Sequence, residues 1–184
     1  QHVIASITSA ELFHSLFQKL HRPSLMSLRI IGQPRHIRDT AGRIAAVAHT
    51  CTSLEFLQLA SQFGTYSSWC DSWVKKLASC MSIGFPNLKH LSLPSVYLSP
   101  SGSKALGAAL ASAKCVESID MHFAQMTNHT WEAFFDSFCE SAQHRDLSAF
   151  GRLSRPYVII SLAPDQVPVV RSLAGRGSLG NMVS

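Results

Sequence analysis

Nine histidines, five cysteines and a scatter of serines are the residues of this chain with chemical potential, and their spacing decides what chemistry that would be. There is no Walker-type phosphate loop, no G-x-G-x-x-G opening a helix and no G-x-S-x-G elbow. Ser101-Gly102-Ser103 follows Pro100 at an expected helix start, where backbone N–H groups can receive an anion, although the same residue types form an ordinary capped turn. His122 and His129 lie too far apart for one helical face, and no cysteine or carboxylate pattern accompanies them, so no metal site is expected. Cys70 stands beside Trp69 and Trp73, an apolar setting that raises a thiol pKa and speaks against a nucleophile. Asn128-His129-Thr130 is a glycosylation sequon only in a secreted chain, and Asn128 or Thr130 is expected to cap a helix instead. No catalytic residue, metal ligand or cofactor is expected from these patterns.

Composition narrows the classes further. With 184 residues and 46% apolar content, the chain can bury one sizeable core. The net charge of +5 is modest, and much of the excess lies late, in Arg152, Arg155, Arg171 and Arg176. A nucleic-acid footprint needs basic residues clustered on one face with aromatics interleaved, and neither feature is visible. No apolar run reaches the roughly 20 residues of a membrane span, since even Pro156 to Ala163 is broken by Pro164. The cysteines, Cys51, Cys70, Cys80, Cys115 and Cys139, are odd in number and form no C-x-x-C pair, which predicts reduced core residues in a cytosolic or nuclear protein. Gln1 stands where a complete chain has Met, as in a fragment or a processed form.

The elements that must position any site follow from a recurrent spacing of aliphatic residues. Leu88, Leu91 and Leu93 make an L-x-x-L-x-L pattern that recurs as Leu54, Leu57 and Leu59 and as Leu25, Leu28 and Ile30, with a weaker copy in Val116, Ile119 and Met121. Alternate residues of a short strand point into a core, and one further apolar anchor precedes each strand. Strands are expected over Leu25 to Ile31, Leu54 to Leu59, Pro86 to Pro94 and Val116 to Phe123. Helical spacing places helices between them. The first runs from Ala10 to Leu20 with a Thr8/Glu11 capping box, the second from Pro34 to His49. A third carries the stripe Trp69, Trp73, Leu77, Cys80 and Met81 behind a cap of Ser68 with Asp71, and ends at Gly84-Phe85-Pro86. Ser99-Pro100 caps a fourth, Ala-rich helix using Leu106, Ala109, Leu110 and Ala113, whose small residues let it lie close to its neighbours. The fifth, from Thr130 to Gln143, buries Trp131, Phe134, Phe135 and Phe138.

Leu147 to Phe150 is a candidate opening of a fifth repeat. Beyond Arg155 the pattern changes to short apolar pieces broken by Pro156, Pro164 and Pro168 and by Gly175, Gly177 and Gly180. Tyr157 to Ile160 and Val167 to Val170 can act as edge strands or cover the end of an array, and Ala174 to Ser184 reads as a flexible tail. Two regions result, residues 1–154 as a repeat domain of four to five units and residues 155–184 as a C-terminal cap or tail.

The repeat step of about 28 to 34 residues, with strand and helix alternating, resembles the ribonuclease-inhibitor-like branch of the leucine-rich repeats, and the irregular copies are similar to those of F-box and leucine-rich-repeat proteins. The resemblance covers Leu12 to Phe150. It implies an α/β solenoid with a short parallel sheet on one face and helices on the other, and a protein-interaction role that extends to substrate recognition within a ubiquitin-ligase adaptor. One departure is clear: Gln33, Gln62, Val96 and Ala124 stand where the family typically places Asn or Cys, so a plain layered α/β domain is the alternative architecture. No F-box pattern is legible, and if one belongs to this protein it lies before Gln1.

If the strands stack in parallel, the residues between the buried aliphatics share one sheet face. These are Ser27, Arg29, Phe56, Gln58, His90, Ser92, Ser118, Asp120 and His122. An aromatic, a cation, an anion and small polar groups together make an adaptable protein-binding surface, with Phe56 and Arg29 as anchors. The partner expected there is a protein, with no membrane and no nucleic acid. Two other readings remain open. One is an α/β enzyme with a site at the strand C-terminal ends near Ser61, Ser95 and His122; the other is weak polyanion binding by the basic tail.

Overall fold

The computed structural model describes residues 2–7, 24–32, 43, 50–61, 69–113, 115–122, 124, 126–143, 159–162, 164, 167 and 168. Six strands, β1 (His2–Ile7), β2 (Ser27–Gly32), β3 (Phe56–Ser61), β4 (His90–Ser92), β5 (Ser118–Asp120) and β6 (Ile159–Ser161), form one sheet in chain order, and each is parallel to the next. Parallel neighbours need a long crossover, normally a helix. Three described helices serve this purpose: α1 (Trp69–Gly84), α2 (Pro100–Ser112) and α3 (Asn128–Gln143). The chain is therefore an α/β protein with a parallel sheet.

Strand alternation divides the sheet into two unlike faces. Val3, Leu28, Leu57, Leu91, Ile119 and Ile160 stand in register across all six strands. From Leu28 to Ile160 these side chains are at most 2% exposed, and they share one core with Trp73, Val74 and Leu77 of α1, Leu106 and Leu110 of α2, and Trp131 and Phe134 of α3. The described helices thus cover this face, with α2 packed between α1 and α3. Trp131, Phe134, Phe135 and Phe138 interlock, with Phe134 and Phe135 meeting edge to face at 5.3 Å between ring centroids.

Successive strands begin in the same way. The carbonyl of Met26 accepts hydrogen bonds from the N–H groups of both Glu55 and Phe56; Glu55 does the same for Lys89 and His90, and Lys89 for Glu117 and Ser118. Ahead of these junctions, Leu54 N–H closes a turn on Cys51 O and Leu88 N–H closes one on Phe85 O, and the Asn87 side chain donates to Thr52 O at 2.7 Å, tying one turn to the other. Leu25, Leu54, Leu88 and Val116 are buried within these lead-in segments, so they anchor the chain before the ladder starts. For that reason β2, β3 and β5 begin two residues later than expected and β4 four residues later, and β4 and β5 are only three residues long.

Other differences have equally local causes. Residues His2 to Ile7, to which the sequence pattern assigns no element, form β1. The C-terminal region contributes β6 at the sheet edge, one of the two roles expected for Tyr157 to Ile160, and its Ile160 joins the common core with Leu162. Thr127, rather than Asn128 or Thr130, caps α3: its hydroxyl accepts the Thr130 N–H at 3.3 Å while its carbonyl accepts the Trp131 N–H. Ser99 caps α2 with Pro100 in the first turn, as expected. Asp71, expected to serve its own helix, accepts hydrogen bonds from the Ser99 hydroxyl and, at 2.9 Å, from the Ser99 N–H, so it links α1 to the start of α2. The expected helices Ala10 to Leu20 and Pro34 to His49 lie outside the described residues except for helical Arg43, as do Leu147 to Phe150 and Ala174 to Ser184.

Candidate functional site

The sheet face opposite the helices carries two rows of residues in register. One runs His2, Ser27, Phe56, His90, Ser118 and Ile159; the other runs Ile4, Arg29, Gln58, Ser92, Asp120 and Ser161. Near their middle lies an open concavity of about 320 Å³ lined by Arg29, Phe56, Gln58, His90, Leu91, Ser92, Ser118 and Asp120. Seven of the nine residues expected on this face therefore surround one hollow. Ser27 lies outside it and is buried, and His122 lies two residues beyond β5.

The two ends of the hollow differ in charge. The Arg29 guanidinium lies 4.7 Å from the Phe56 ring centroid, a cation–π arrangement, and the Phe56 ring meets the His90 ring at 6.5 Å. His90 Nδ1 is 2.8 Å from Ser118 Oγ. At the other end the Ser92 hydroxyl donates to Asp120 Oδ2 at 2.9 Å, while Asp120 Oδ1 accepts the His122 backbone N–H at 3.0 Å and faces His122 Nδ1 at 2.6 Å. Ser27 and Ser92, expected to face solvent, are 9% and 4% exposed because their short side chains sit below larger cross-strand neighbours.

Burial by itself would raise the Asp120 pKa. The side-chain and backbone hydrogen bonds of His122, the Ser92 hydroxyl and the charge of His122 outweigh that effect and hold the carboxyl below its ordinary value. A folded-state pKa below the unfolded one, about 3.9, gives stability that is complete above that value and lost as pH falls through the folded pKa. Denaturant titrations from pH 6 to about pH 2 are therefore expected to show an acid loss of stability that is smaller in Asp120→Asn than in the parent chain. Because the carboxylate is 38% exposed, solvent screening limits the difference to under about 1 kcal/mol.

These contacts do not assemble an acyl-transfer relay, which needs one imidazole between a hydroxyl and a carboxylate. Here His90 meets Ser118 and a different histidine, His122, meets Asp120, while the Ser92 hydroxyl donates its hydrogen bond directly to the carboxylate. Ser95, named for a site at the strand ends, adopts φ 58° in the left-handed region and donates its backbone N–H to His122 O. The Ser61 side chain lies outside the described residues, as do Arg152, Arg155, Arg171 and Arg176.

Among the described residues no three His, Cys, Asp or Glu side chains gather in a metal-binding group. Cys51 is buried and its thiol pKa is pushed up by that burial, whereas Cys80, Cys115 and Cys139, expected in the core, are only half-buried. No helix among the described residues is long and apolar enough to cross a membrane. Sequence reasoning missed the N-terminal extension of the face, where Ile4 is 70% exposed in register with Arg29; the β-branched residues Val3, Ile4 and Ile7 were a weak signal, because they do not alternate. Comparison with protein-family profiles and with curated proteins returns no match.

Proposed function

We propose that this chain is a leucine-rich-repeat-like array of strand and helix units whose uncovered sheet face docks a protein. The observation that carries the reading is the Arg29–Phe56 stack at the edge of a hollow lined by polar groups of both charges. Arginine and aromatic side chains dominate binding energy at protein interfaces, and a shallow hollow with small hydroxyls around such a pair fits an extended partner segment. The recurrent junction hydrogen bonds at Met26, Glu55 and Lys89 support the repeat architecture. Substrate recognition within a ubiquitin-ligase adaptor follows from the resemblance of the repeats.

Phe56→Ala and Arg29→Glu are expected to lower capture of protein partners from cell extract by about tenfold or more, the scale of an interface anchor. Their unfolding midpoints should stay close to the parent value, because neither side chain belongs to the buried core. Unchanged capture by both variants would overturn the docking assignment. A ubiquitin-ligase scaffold among the captured proteins would support the adaptor role, and its absence from Phe56-dependent captures would remove that role.

A further inference from the structure

The charge layout of the hollow specifies what kind of segment it takes. Arg29, Gln58, Ser92 and Asp120 occupy one row on four successive strands. Strands stand about 4.8 Å apart, so the row runs about 14 Å from cation to anion, the span of about four residues of extended chain. We infer that this row binds an extended peptide lying across the strands, with a carboxylate residue over Arg29 and a lysine four positions away over Asp120; the assignment rests on the protein-docking reading above.

The free hydrogen-bonding capacity at each end sets the residue types. Among the described residues no carboxylate is paired with Arg29. Its guanidinium lies against the Phe56 ring and is exposed, so its edge N–H donors are available for a planar carboxylate in a two-bond contact. Asp120 is more restricted. A carboxylate offers about four lone-pair sites, two on each oxygen. Both His122 contacts fall on Oδ1 and the Ser92 contact falls on Oδ2, which leaves one acceptor position on Oδ2. A single position suits the point-like ammonium of lysine better than the two-pronged guanidinium of arginine. Gln58 lies between the ends with donors and acceptors for the peptide backbone.

The test is a set of fluorescence-anisotropy titrations of the full chain with a synthetic peptide Glu-Thr-Val-Thr-Lys in neutral flanks. Companion peptides carry Gln for Glu, Met for Lys, or Glu and Lys side by side. Removing the peptide carboxylate should weaken binding about fivefold against the parent chain and not at all against Arg29→Gln, and removing the ammonium should do the same against the parent and Asp120→Asn, respectively. Asp120→Asn keeps the shape of the side chain, Arg29→Gln shortens an exposed one, neither touches the buried core, and the thermal melt of each variant confirms the fold. The side-by-side peptide should bind no better than a peptide with one charge.

Losses that persist in the matching variant, or equal affinity for the side-by-side peptide, would overturn the assignment. Tighter binding of a single-stranded polynucleotide, lost in Arg29→Gln and indifferent to Asp120→Asn, would overturn it in favour of a polyanion. Equal binding of charged and neutral peptides that still needs Phe56 would overturn the charge specificity alone and leave the docking face in place. Failure of every peptide overturns the inference, whereas the docking face stands or falls separately on Phe56-dependent capture from extract.

Discussion

Leu57→Ala is expected to cost about 3 to 5 kcal/mol of folding stability, the upper part of the range for truncating a buried leucine. Leu57 is fully buried on β3 and stands in register between Leu28 and Leu91, with helix residues of the same core above it. Its neighbours are held by backbone ladders on both sides, so the space left by the lost atoms cannot close without shifting a strand. Most of the penalty therefore remains as cavity. Urea unfolding followed by far-UV circular dichroism measures the change, and Gln58→Ala provides the control. That residue is next in sequence but faces the open side, so its truncation should stay within about 0.5 kcal/mol. Comparable losses for the two variants would mean that the sheet is covered on both faces.

Gly107→Ala has the second large effect, and its sign is contested by two forces. Alanine is the better helix former by about 1 kcal/mol, so in an exposed helix the change would stabilise. Gly107 is instead buried where α2 crosses α3. A methyl group placed there would meet the Phe134 carbonyl oxygen and lie 3.3 Å from the Phe138 nitrogen. Both are backbone atoms of a helix, so no side-chain rotation relieves the overlap, and α2 must lift from the aromatic layer formed by Trp131, Phe134 and Phe138. Overpacking of this kind costs about 1 to 3 kcal/mol, and the clash with backbone places the net effect at the destabilising end. Thermal unfolding should show a clear drop in midpoint, and a rise would mean that the two helices separate freely. The short side chains of α2 are legible in the sequence. Which helix they approach is not, because that depends on the order in which helices line the sheet.

The same distinction runs through the rest of the molecule. Leu28, Leu57, Leu91 and Ile119 were legible as a buried row because aliphatic spacing with period two has one physical meaning, and alternation then put Arg29, Phe56, Gln58 and His90 on the other face. Ser99-Pro100 was legible because its residue types act on their own backbone. β6 was legible only as one of two alternatives, an edge strand or a cover: Tyr157, Ile160 and Leu162 keep the spacing of the other strands, but an aromatic replaces the leading aliphatic and prolines flank the segment. The pairing of Ser92 with Asp120 was hidden, since it joins residues 28 positions apart and depends on the register of two strands. Asp71 misled for the same cause, as a nearby cap is the usual use of an aspartate in a first helical turn, yet its partner Ser99 comes from the following unit.

The paired hydrogen bonds at Met26, Glu55 and Lys89 behave as the teeth of a rack. β3, β4 and β5 each take their register from the carbonyl just ahead of the strand before, one residue past that unit's leading aliphatic residue. Residues gained or lost on the helix side, where the spacing between units already varies from about 28 to 34, leave the teeth engaged and the open face unchanged. One residue inserted between Leu54 and Phe56 would instead advance the chain by half a pleat, turn Phe56 inward and bring Leu57 to the surface. The length of the molecule is thus free to drift along one side, while the side that carries Arg29 and Asp120 keeps time.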